Sequence, residues 1–276
     1  MSSLNWYSGL MAKGKRSIKQ YLKAVQLVVE VLEARAPYST CNPELSKIVG
    51  NKKRVIVLNK SDLADDKVTA SWQKVLSREG QACLVCSSKN RSGINELLQF
   101  LQSYGKEVKS SSFPSLMVVG VPNVGKSTLV NQLLGKKSAA TGAKAGITKG
   151  PQWIKVPYGW YILDTPGLLP LKIKKKENIY CLATLGSLKE ELIDAETLAS
   201  WLIDRLSAQG VEFYFWQKKY NLPQEPRTRE EVIELIGLRR GFLEKGSEVN
   251  RNKTSALIIR DFRVGKIGSF TLEYPV

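Results

Sequence analysis

Residues 116–129 have the sequence Leu116-Met-Val-Val-Gly120-Val-Pro-Asn-Val-Gly125-Lys126-Ser127-Thr128-Leu129. The two glycines, the lysine and the serine have the spacing of a phosphate-binding loop. An apolar run precedes the loop and a helical pattern follows it, which is the strand–loop–helix order that such a loop requires. The stretch therefore predicts an α/β fold in which a buried strand leads into this loop and a helix begins directly after it.

The loop carries several groups that suit a bound phosphate. Its glycines let backbone N–H groups wrap around phosphate oxygens, and the helix that follows presents its positive end. We predict that Lys126 reaches the outer phosphates and that the hydroxyl of Ser127 ligates Mg²⁺. The predicted nucleotide contacts of this loop are Asn123, Val124, Gly125, Lys126, Ser127 and Thr128.

A second phosphate motif, Asp164-Thr-Pro-Gly167, follows the apolar run Trp160–Leu163. An acid in this position can hold Mg²⁺ through a water molecule, and the N–H of Gly167 can contact the terminal phosphate. Such a tetrapeptide is weak evidence alone, but its position behind a phosphate loop makes it strong. We predict that Asp164 belongs to the metal site and that Gly167 contacts the nucleotide.

A base-recognition motif lies at the end of the apolar run that begins at Arg54. The carboxylate of Asp62 can accept hydrogen bonds from the ring N–H and exocyclic amine of guanine, and such a site discriminates by ~10⁴-fold or more. We predict that Asn59 faces the other edge of the base and that the stem of Lys60 stacks on the ring. The backbone N–H groups that close the pocket are predicted at Ser87, Ser88 and Lys89, and the nucleotide is predicted to be GTP.

Strand and helix signals alternate over the first two-thirds of the chain, which predicts a mostly parallel sheet with helices on both faces. The predicted strands are Leu27–Leu32, Arg54–Leu58, Ala82–Cys86, Leu116–Val119, Trp153–Val156 and Trp160–Leu163. The predicted helices between them are Ser17–Ala24, Val68–Arg78, Ile94–Tyr104 and Lys126–Leu134. After about Lys176 only helical periodicity continues, at Ala195–Leu206, Arg229–Ile236 and Lys253–Arg263, before a short extended tail, Ser269–Tyr274.

The base motif precedes the phosphate loop, which is the reverse of the usual order in GTPases. Each motif still follows its own strand, so the simplest interpretation is a circular permutation of the chain. We predict a circularly permuted Ras-like P-loop GTPase domain over residues 1–176 and a small, mostly helical domain over residues 177–276. Because the second domain follows Asp164–Gly167 along the chain, we expect loss of the third phosphate to shift it.

Composition narrows the function further. The chain has 276 residues and a net charge of +17, which favours a polyanionic partner such as RNA. It contains no histidine, so zinc sites, triads and general bases that need this residue are excluded. Four cysteines are too few for a disulfide framework, and Cys83 and Cys86 lie in an apolar run that predicts buried, reduced thiols.

The hydropathy of the sequence gives no indication of a membrane-spanning segment. No apolar run approaches the ~20 residues that cross a bilayer, and the first residues do not resemble a signal peptide. We therefore expect a cytoplasmic protein. The sequence leaves the oligomeric state open, with a monomer as the default, and we expect no DNA partner. A membrane-associated signalling GTPase is an alternative, although the chain lacks a lipidation motif. A phosphate-loop kinase or ATPase is disfavoured by the residues Asn59–Asp62.

Further signatures accompany the nucleotide motifs, at Trp6–Met11, Glu33–Pro37, Gly146–Gly150, Arg239–Gly241 and Asp261–Lys266. Across essentially its whole length the chain resembles the circularly permuted GTPases of the ribosome biogenesis GTPase A (YlqF/RbgA) family. The resemblance implies a role in late maturation of the large ribosomal subunit, stimulation by that particle and contact with ribosomal RNA. It also implies that Thr148 completes the Mg²⁺ site in the GTP state, and that Asn123 associates with a K⁺ ion that replaces an arginine finger.

Three positions depart from the family pattern in residues that bear on catalysis. A fourth difference is conservative, since Glu33 stands where the family often has an aspartate and keeps the negative charge. Ser8 and Leu10 stand where the family usually has a proline and a histidine with a catalytic role, and Leu168 replaces a water-orienting glutamine. We expect slow intrinsic turnover, on the order of 10⁻³ s⁻¹ or below. The alternative is a nucleotide-regulated RNA-binding protein with negligible hydrolysis. The predicted catalytic groups are Lys126, Asn123, Thr148 and Gly167.

Overall fold

The computed structural model of the protein describes residues 20–50, 52–78, 81–108, 113–135, 153–163, 175–189 and 192–275. These residues fall into two compact units. The first unit lies within Met1–Ile173 and also contains the end of the chain, Glu273–Val276. The second unit lies within Lys174–Leu272.

The described part of the first unit contains one sheet of six strands. The strands are β1 (Leu27–Glu33), β2 (Lys53–Asn59), β3 (Ala82–Val85), β4 (Ser115–Val119), β5 (Trp153–Lys155) and β6 (Tyr161–Leu163). Their order is β3-β2-β1-β4-β6-β5, and every neighbouring pair is parallel except β5 with β6. This mostly parallel sheet confirms the predicted α/β fold class.

The centre of the sheet is fully covered. All seven residues of β1 are buried, as expected for a central parallel strand with both faces packed. On one face, Val28 packs in a cluster with Leu45 and Val49. On the same side of β1, Leu32 belongs to a second cluster that contains Trp72. The apolar, valine-rich composition of β1 therefore accounts for its position in the core.

Five helices of the first unit have described bounds. They are α1 (Pro37–Thr40), α2 (Pro43–Val49), α3 (Asp66–Leu76), α4 (Ile94–Glu107) and α5 (Lys126–Leu133). The last three lie where helices were predicted, and α3 begins after Asp65, whose side chain accepts a hydrogen bond from the Val68 N–H. Residues 20–22, within the predicted helix Ser17–Ala24, are also helical. The short helices α1 and α2 were not predicted.

The described part of the second unit is helical. Its helices are α6 (Lys176–Thr184), α7 (Ala195–Ser207), α8 (Phe213–Tyr220), α9 (Arg229–Arg240) and α10 (Arg251–Arg263). Helices α7 and α10 pack together, and Leu202 of α7 and Phe262 of α10 are fully buried. The side chains of Asp194, Thr228 and Asn250 cap the N-termini of α7, α9 and α10. Helices α6 and α8 were not predicted.

The end of the chain returns to the first unit, which the sequence did not predict. The carboxylate of Glu273 accepts hydrogen bonds from the backbone N–H of Ser39, at 3.1 Å, and from its hydroxyl. The backbone carbonyl of Glu273 accepts a hydrogen bond from the indole N–H of Trp72, at 2.9 Å. These contacts attach the final residues to helices α1 and α3.

The cysteines are free thiols, and Cys83 and Cys86 are buried as predicted. Burial raises the pKa of both thiols to about 12, so they stay protonated at neutral pH. Within the described ranges, no helix is long and apolar enough to cross a membrane.

Candidate nucleotide-binding site

The phosphate loop connects the end of β4 to the start of α5. Gly125 caps α5 in a left-handed conformation (φ 95°), and a Cβ on this residue would lie 2.3 Å from Nδ2 of Asn59. A Cβ on Gly120 would lie 2.4 Å from the carbonyl oxygen of Val31 in β1. Both glycines are therefore required by close approach of neighbouring chain segments.

The side chains of the loop lie at the N-terminus of α5. The ammonium of Lys126 donates to the carbonyl oxygen of Val121 at 2.8 Å, across the loop. Ser127 and Thr128 are exposed in the first turn of α5, where backbone N–H groups have no partner within the helix. Asn123 is exposed and has a positive φ of 64°. This arrangement suits an anion held by backbone N–H groups and one lysine.

The base motif lies at the carboxyl end of β2. Asn59 is the last residue of the strand, Lys60 has a left-handed backbone (φ 59°), and Asp62 lies in the short 3₁₀ helix Ser61–Leu63. The hydroxyl of Ser87 donates to Oδ1 of Asp62 at 2.6 Å, which orients the carboxylate. A charge-assisted hydrogen bond of this kind limits the orientations that the Asp62 carboxylate can adopt.

Asn59 connects the base motif to both neighbouring loops. Its Nδ2 donates to the carbonyl oxygen of Val124 in the phosphate loop at 2.7 Å. Its Oδ1 accepts hydrogen bonds from the backbone N–H of Ser88 at 3.0 Å and from the Ser88 hydroxyl at 2.8 Å. Asn59 is only 1% exposed. Its amide therefore holds the phosphate loop and the loop after β3 in one fixed arrangement.

A buried acid lies beside the base motif. Oε2 of Glu33, the last residue of β1, accepts from the Lys60 ammonium at 2.7 Å, and Oε1 accepts from Nε of Arg35 at 2.6 Å. The side chain of Glu33 is 0% exposed, that of Arg35 is 1% exposed and that of Lys60 is 25% exposed. Sequence reasoning gave Glu33 little weight. The available signal was an acid at the carboxyl end of a buried strand, where parallel sheets bind ligands.

The structure brings together the predicted residues that it describes. Ser87 and Ser88 are buried next to the base motif, whereas Lys89 is exposed in the turn that follows. The N–H of Ser88, predicted to close the pocket, donates to Asn59. Thr148, Asp164 and Gly167 lie outside the described residues, and so do Ser8, Leu10 and Leu168.

The strand order, the phosphate loop on β4 and the base motif on β2 define a P-loop GTPase in which the base motif comes first in the chain. The chain is 37% identical to ribosome biogenesis GTPase A of Priestia megaterium, over 99% of its own length and 97% of that protein. It belongs to the ribosome biogenesis GTPase A family.

Other comparisons agree with this assignment. A family model described as "50S ribosome-binding GTPase" matches residues 115–222. Ribosome biogenesis GTPase A of Thermotoga maritima is 32% identical over 99% of this chain and 95% of that protein. The crystal structure of GNP-bound YlqF from T. maritima superposes with a TM-score of 0.66 at 28% identity, covering 95% of this chain and 100% of that chain. The protein is therefore a GTP hydrolase, and it binds GTP in a role in ribosome biogenesis.

Proposed function

We propose that GTP hydrolysis switches this protein between two conformations during late assembly of the large ribosomal subunit, while the protein contacts ribosomal RNA. The observation that carries the nucleotide part is the Asn59 amide, which links the phosphate loop at Val124 to the loop at Ser88. A site whose two halves are held together in this way is ready for a ligand that has both a base and phosphates.

The base contacts follow from the geometry of the loops. Asp62, oriented by Ser87, accepts the two guanine donors, and the stem of Lys60 lies over the ring. Asn59 contributes by positioning, since its oxygen and nitrogen already bond the two loops. The further nucleotide contacts that we propose are Ser87, Ser88, Lys89, Asn123, Val124, Gly125, Lys126, Ser127, Thr128 and Gly167.

The proposed metal site has three protein ligands, of which only Ser127 lies within the residues that the structure describes. The hydroxyl of Ser127 is exposed at the first turn of α5, and oxygen ligands of this kind suit Mg²⁺. Thr148 and, through a water molecule, Asp164 are the other proposed ligands. The metal would neutralise charge that develops on the β- and γ-phosphate oxygens.

Catalysis is proposed to depend on charge stabilisation. Lys126 contacts the outer phosphates, Thr148 holds the metal and the N–H of Gly167 contacts the γ-phosphate. Asn123, exposed in the phosphate loop, would hold a K⁺ ion in place of an arginine finger. Because Leu10 and Leu168 replace the usual water-positioning residues, the intrinsic rate is expected to be low.

The helical unit is the proposed RNA contact. Its exposed basic side chains include Lys218 and Lys219 at the end of α8, and Arg239 and Arg240 at the end of α9. Together with the net charge of +17, they favour a phosphate backbone as partner, in the cytoplasm where subunits assemble.

We also propose two functional domains, residues 1–176 for nucleotide binding and residues 177–276 for RNA contact, although Glu273–Val276 belong to the first compact unit. The chain passes from Asp164–Gly167 into the helical unit, so release of the γ-phosphate is proposed to shift that unit. Identical X-ray scattering profiles with GDP and with a non-hydrolysable GTP analogue would contradict this coupling.

GTP turnover tests the proposal directly. It is measured with and without purified large ribosomal subunits, in K⁺ buffer and in Na⁺ buffer. We expect a rate on the order of 10⁻³ s⁻¹ or below without the particle, and strong stimulation by the particle that is larger in K⁺. A rate that stays near zero in all four conditions, with GTP binding intact, would contradict the hydrolytic switch.

Leu10 gives a second measurement in the same assay. We expect Leu10→His to raise the rate with ribosomal subunits at least tenfold, because it restores the histidine usual in the family. An unchanged rate would show that this position does not limit hydrolysis.

A further inference from the structure

We propose that Glu33 is a positioning residue for guanine binding: its buried carboxylate holds the ammonium of Lys60, which sets the Lys60 stem in place for the base. The inference rests on the proposed function, since it takes Asn59–Asp62 as the base site. Glu33 belongs to β1, whereas the nucleotide motifs follow β2, β3, β4 and β6.

Glu33 is fixed by two contacts of its carboxylate and one of its backbone. One oxygen accepts from Nε of Arg35 at 2.6 Å and the other accepts from the Lys60 ammonium at 2.7 Å. The backbone N–H of Glu33 donates to Oγ1 of Thr40 in α1 at 3.1 Å. Because the side chain is fully buried, the carboxylate cannot rotate away without losing paired hydrogen bonds.

Two cations contact this one carboxylate, and only one of them is needed for its burial. Arg35 is 1% exposed, and its guanidinium already balances the charge of Glu33 inside the fold. Lys60 is 25% exposed, so water could solvate its ammonium without help from Glu33. The Lys60–Glu33 ion pair therefore contributes little to the stability of the fold. Its effect is on the nucleotide site, where it holds the Lys60 side chain in place.

The Lys60 stem is held at both ends. Its backbone is fixed in the left-handed conformation (φ 59°, ψ 36°) between β2 and the 3₁₀ helix, and its ammonium is fixed by Glu33. A free lysine side chain has many rotamers, and ordering it when a ligand binds reduces affinity. With the ammonium held beforehand, the apolar stem is ready to lie against a base.

The test is a double-mutant cycle on nucleotide affinity. The dissociation constants of GDP and a GTP analogue are measured for the wild-type full-length protein, Glu33→Gln, Lys60→Met and the double variant. We expect Glu33→Gln to weaken binding about three- to tenfold, the usual effect of ordering one flexible side chain. In the Lys60→Met background, Glu33→Gln should cause no further loss, because Glu33 acts through the ammonium. Additive losses would overturn the proposal.

Two variants separate positioning from a general effect on folding. Glu33→Asp keeps the charge and should restore most of the affinity. Glu30→Gln is the matched control, since Glu30 lies on the same strand, is 1% exposed and pairs with Arg54 at 3.1 Å. It should lower thermal stability and leave the dissociation constants of the folded protein unchanged. Weakened binding in Glu30→Gln equal to that in Glu33→Gln would overturn the inference.

The base analogue ITP separates stacking by the Lys60 stem from recognition of the exocyclic amine by Asp62. Stacking by the Lys60 stem does not involve the exocyclic amine, so Glu33→Gln should weaken GTP and ITP binding by the same factor. Lys60→Met gives the same comparison if Glu33→Gln fails to fold, because Glu33 keeps Arg35 as its partner. Unchanged GTP and ITP affinities in Lys60→Met would overturn the proposal.

Asp62→Asn separates this inference from the proposed function. If Asp62→Asn loses GTP affinity while Glu33→Gln binds as tightly as the wild type, the base site stands and only the role of Glu33 fails. If neither variant changes GTP affinity, the assignment of the base site to Asn59–Asp62 fails as well.

Discussion

The side-chain amide of Asn59 joins two loops that are far apart in the sequence, at Val124 and Ser88. We expect Asn59→Ala to lower the free energy of unfolding by about 2–4 kcal/mol, because each buried group left without a partner costs about 1–3 kcal/mol. GDP affinity should fall at least tenfold, since the two loops lose their fixed spacing. Urea unfolding and titration with fluorescent GDP measure the two effects.

The control for Asn59 is Asn90→Ala, because Asn90 is an exposed asparagine in the turn after Ser88. Its effect on stability should stay within about 0.5 kcal/mol, as for most surface positions. If Asn59→Ala is less stable but binds GDP with the wild-type affinity, the amide holds the fold without positioning the loops.

At the residue scale, local motifs were predictable and distant contacts were not. The positions of Asp62 and Lys126 follow from short patterns that fix a turn and a helix start, so the sequence indicates them directly. The partner of Asn59 is 65 residues away, and no local pattern reports such a contact. The same holds for Glu33 and Lys60, which are 27 residues apart.

Helix α7 allows a prediction at the scale of one element. The side chain of Asp194 accepts a hydrogen bond from the N–H of Thr197 at 2.8 Å, and this bond lowers the pKa of the Asp194 carboxyl. We expect Asp194→Ala to destabilise the second unit by about 1 kcal/mol at neutral pH, as for other lost caps. Chemical unfolding monitored by circular dichroism measures it.

The pH dependence of this cap has a definite sign. A carboxyl whose pKa is lowered by folding contributes stability above its ordinary pKa, and that stability is lost as pH falls through the lowered value. The difference between wild type and Asp194→Ala should therefore shrink in acid. Glu225→Ala, at an exposed acid between α8 and α9, is the control and should show no such difference. If the stability difference between wild type and Asp194→Ala stayed constant down to strongly acidic pH, the charge of the Asp194 carboxylate would have no role in the cap.

Elements were predicted well where periodicity is strong. The bounds of all six strands lie within one residue of their predictions, because short apolar runs between turn and helix signals are typical of strands. Helices α1 and α2 were missed because each is short and begins with a proline, which is typical of turns as well as of helix starts. Helix α8 begins Phe213-Tyr-Phe-Trp216, where consecutive aromatics hide any apolar stripe.

The division into two compact units leads to a prediction for the whole molecule. We expect calorimetry to resolve two unfolding transitions, and GDP to raise the midpoint of only one of them. At a free GDP concentration of about 100 times the dissociation constant, the first unit should gain about 2.7 kcal/mol. The second unit contains none of the nucleotide motifs, so its transition should not move.

ADP is the control ligand for this experiment, because adenine lacks the donors that Asp62 requires. It should shift neither transition at the same concentration. A single transition that GDP shifts as a whole would mean that the two units unfold cooperatively.

The return of Glu273 to the first unit also affects the order in which the protein folds as it is made. Synthesis proceeds at about 5–20 residues per second, and domains generally fold as they leave the ribosome. Ser39 and Trp72 are made early, yet their partner Glu273 follows on the order of ten seconds later. The packing of the first unit is therefore complete only after Glu273 has been made, so a chain that terminates before this residue would contain an unfinished GTPase unit.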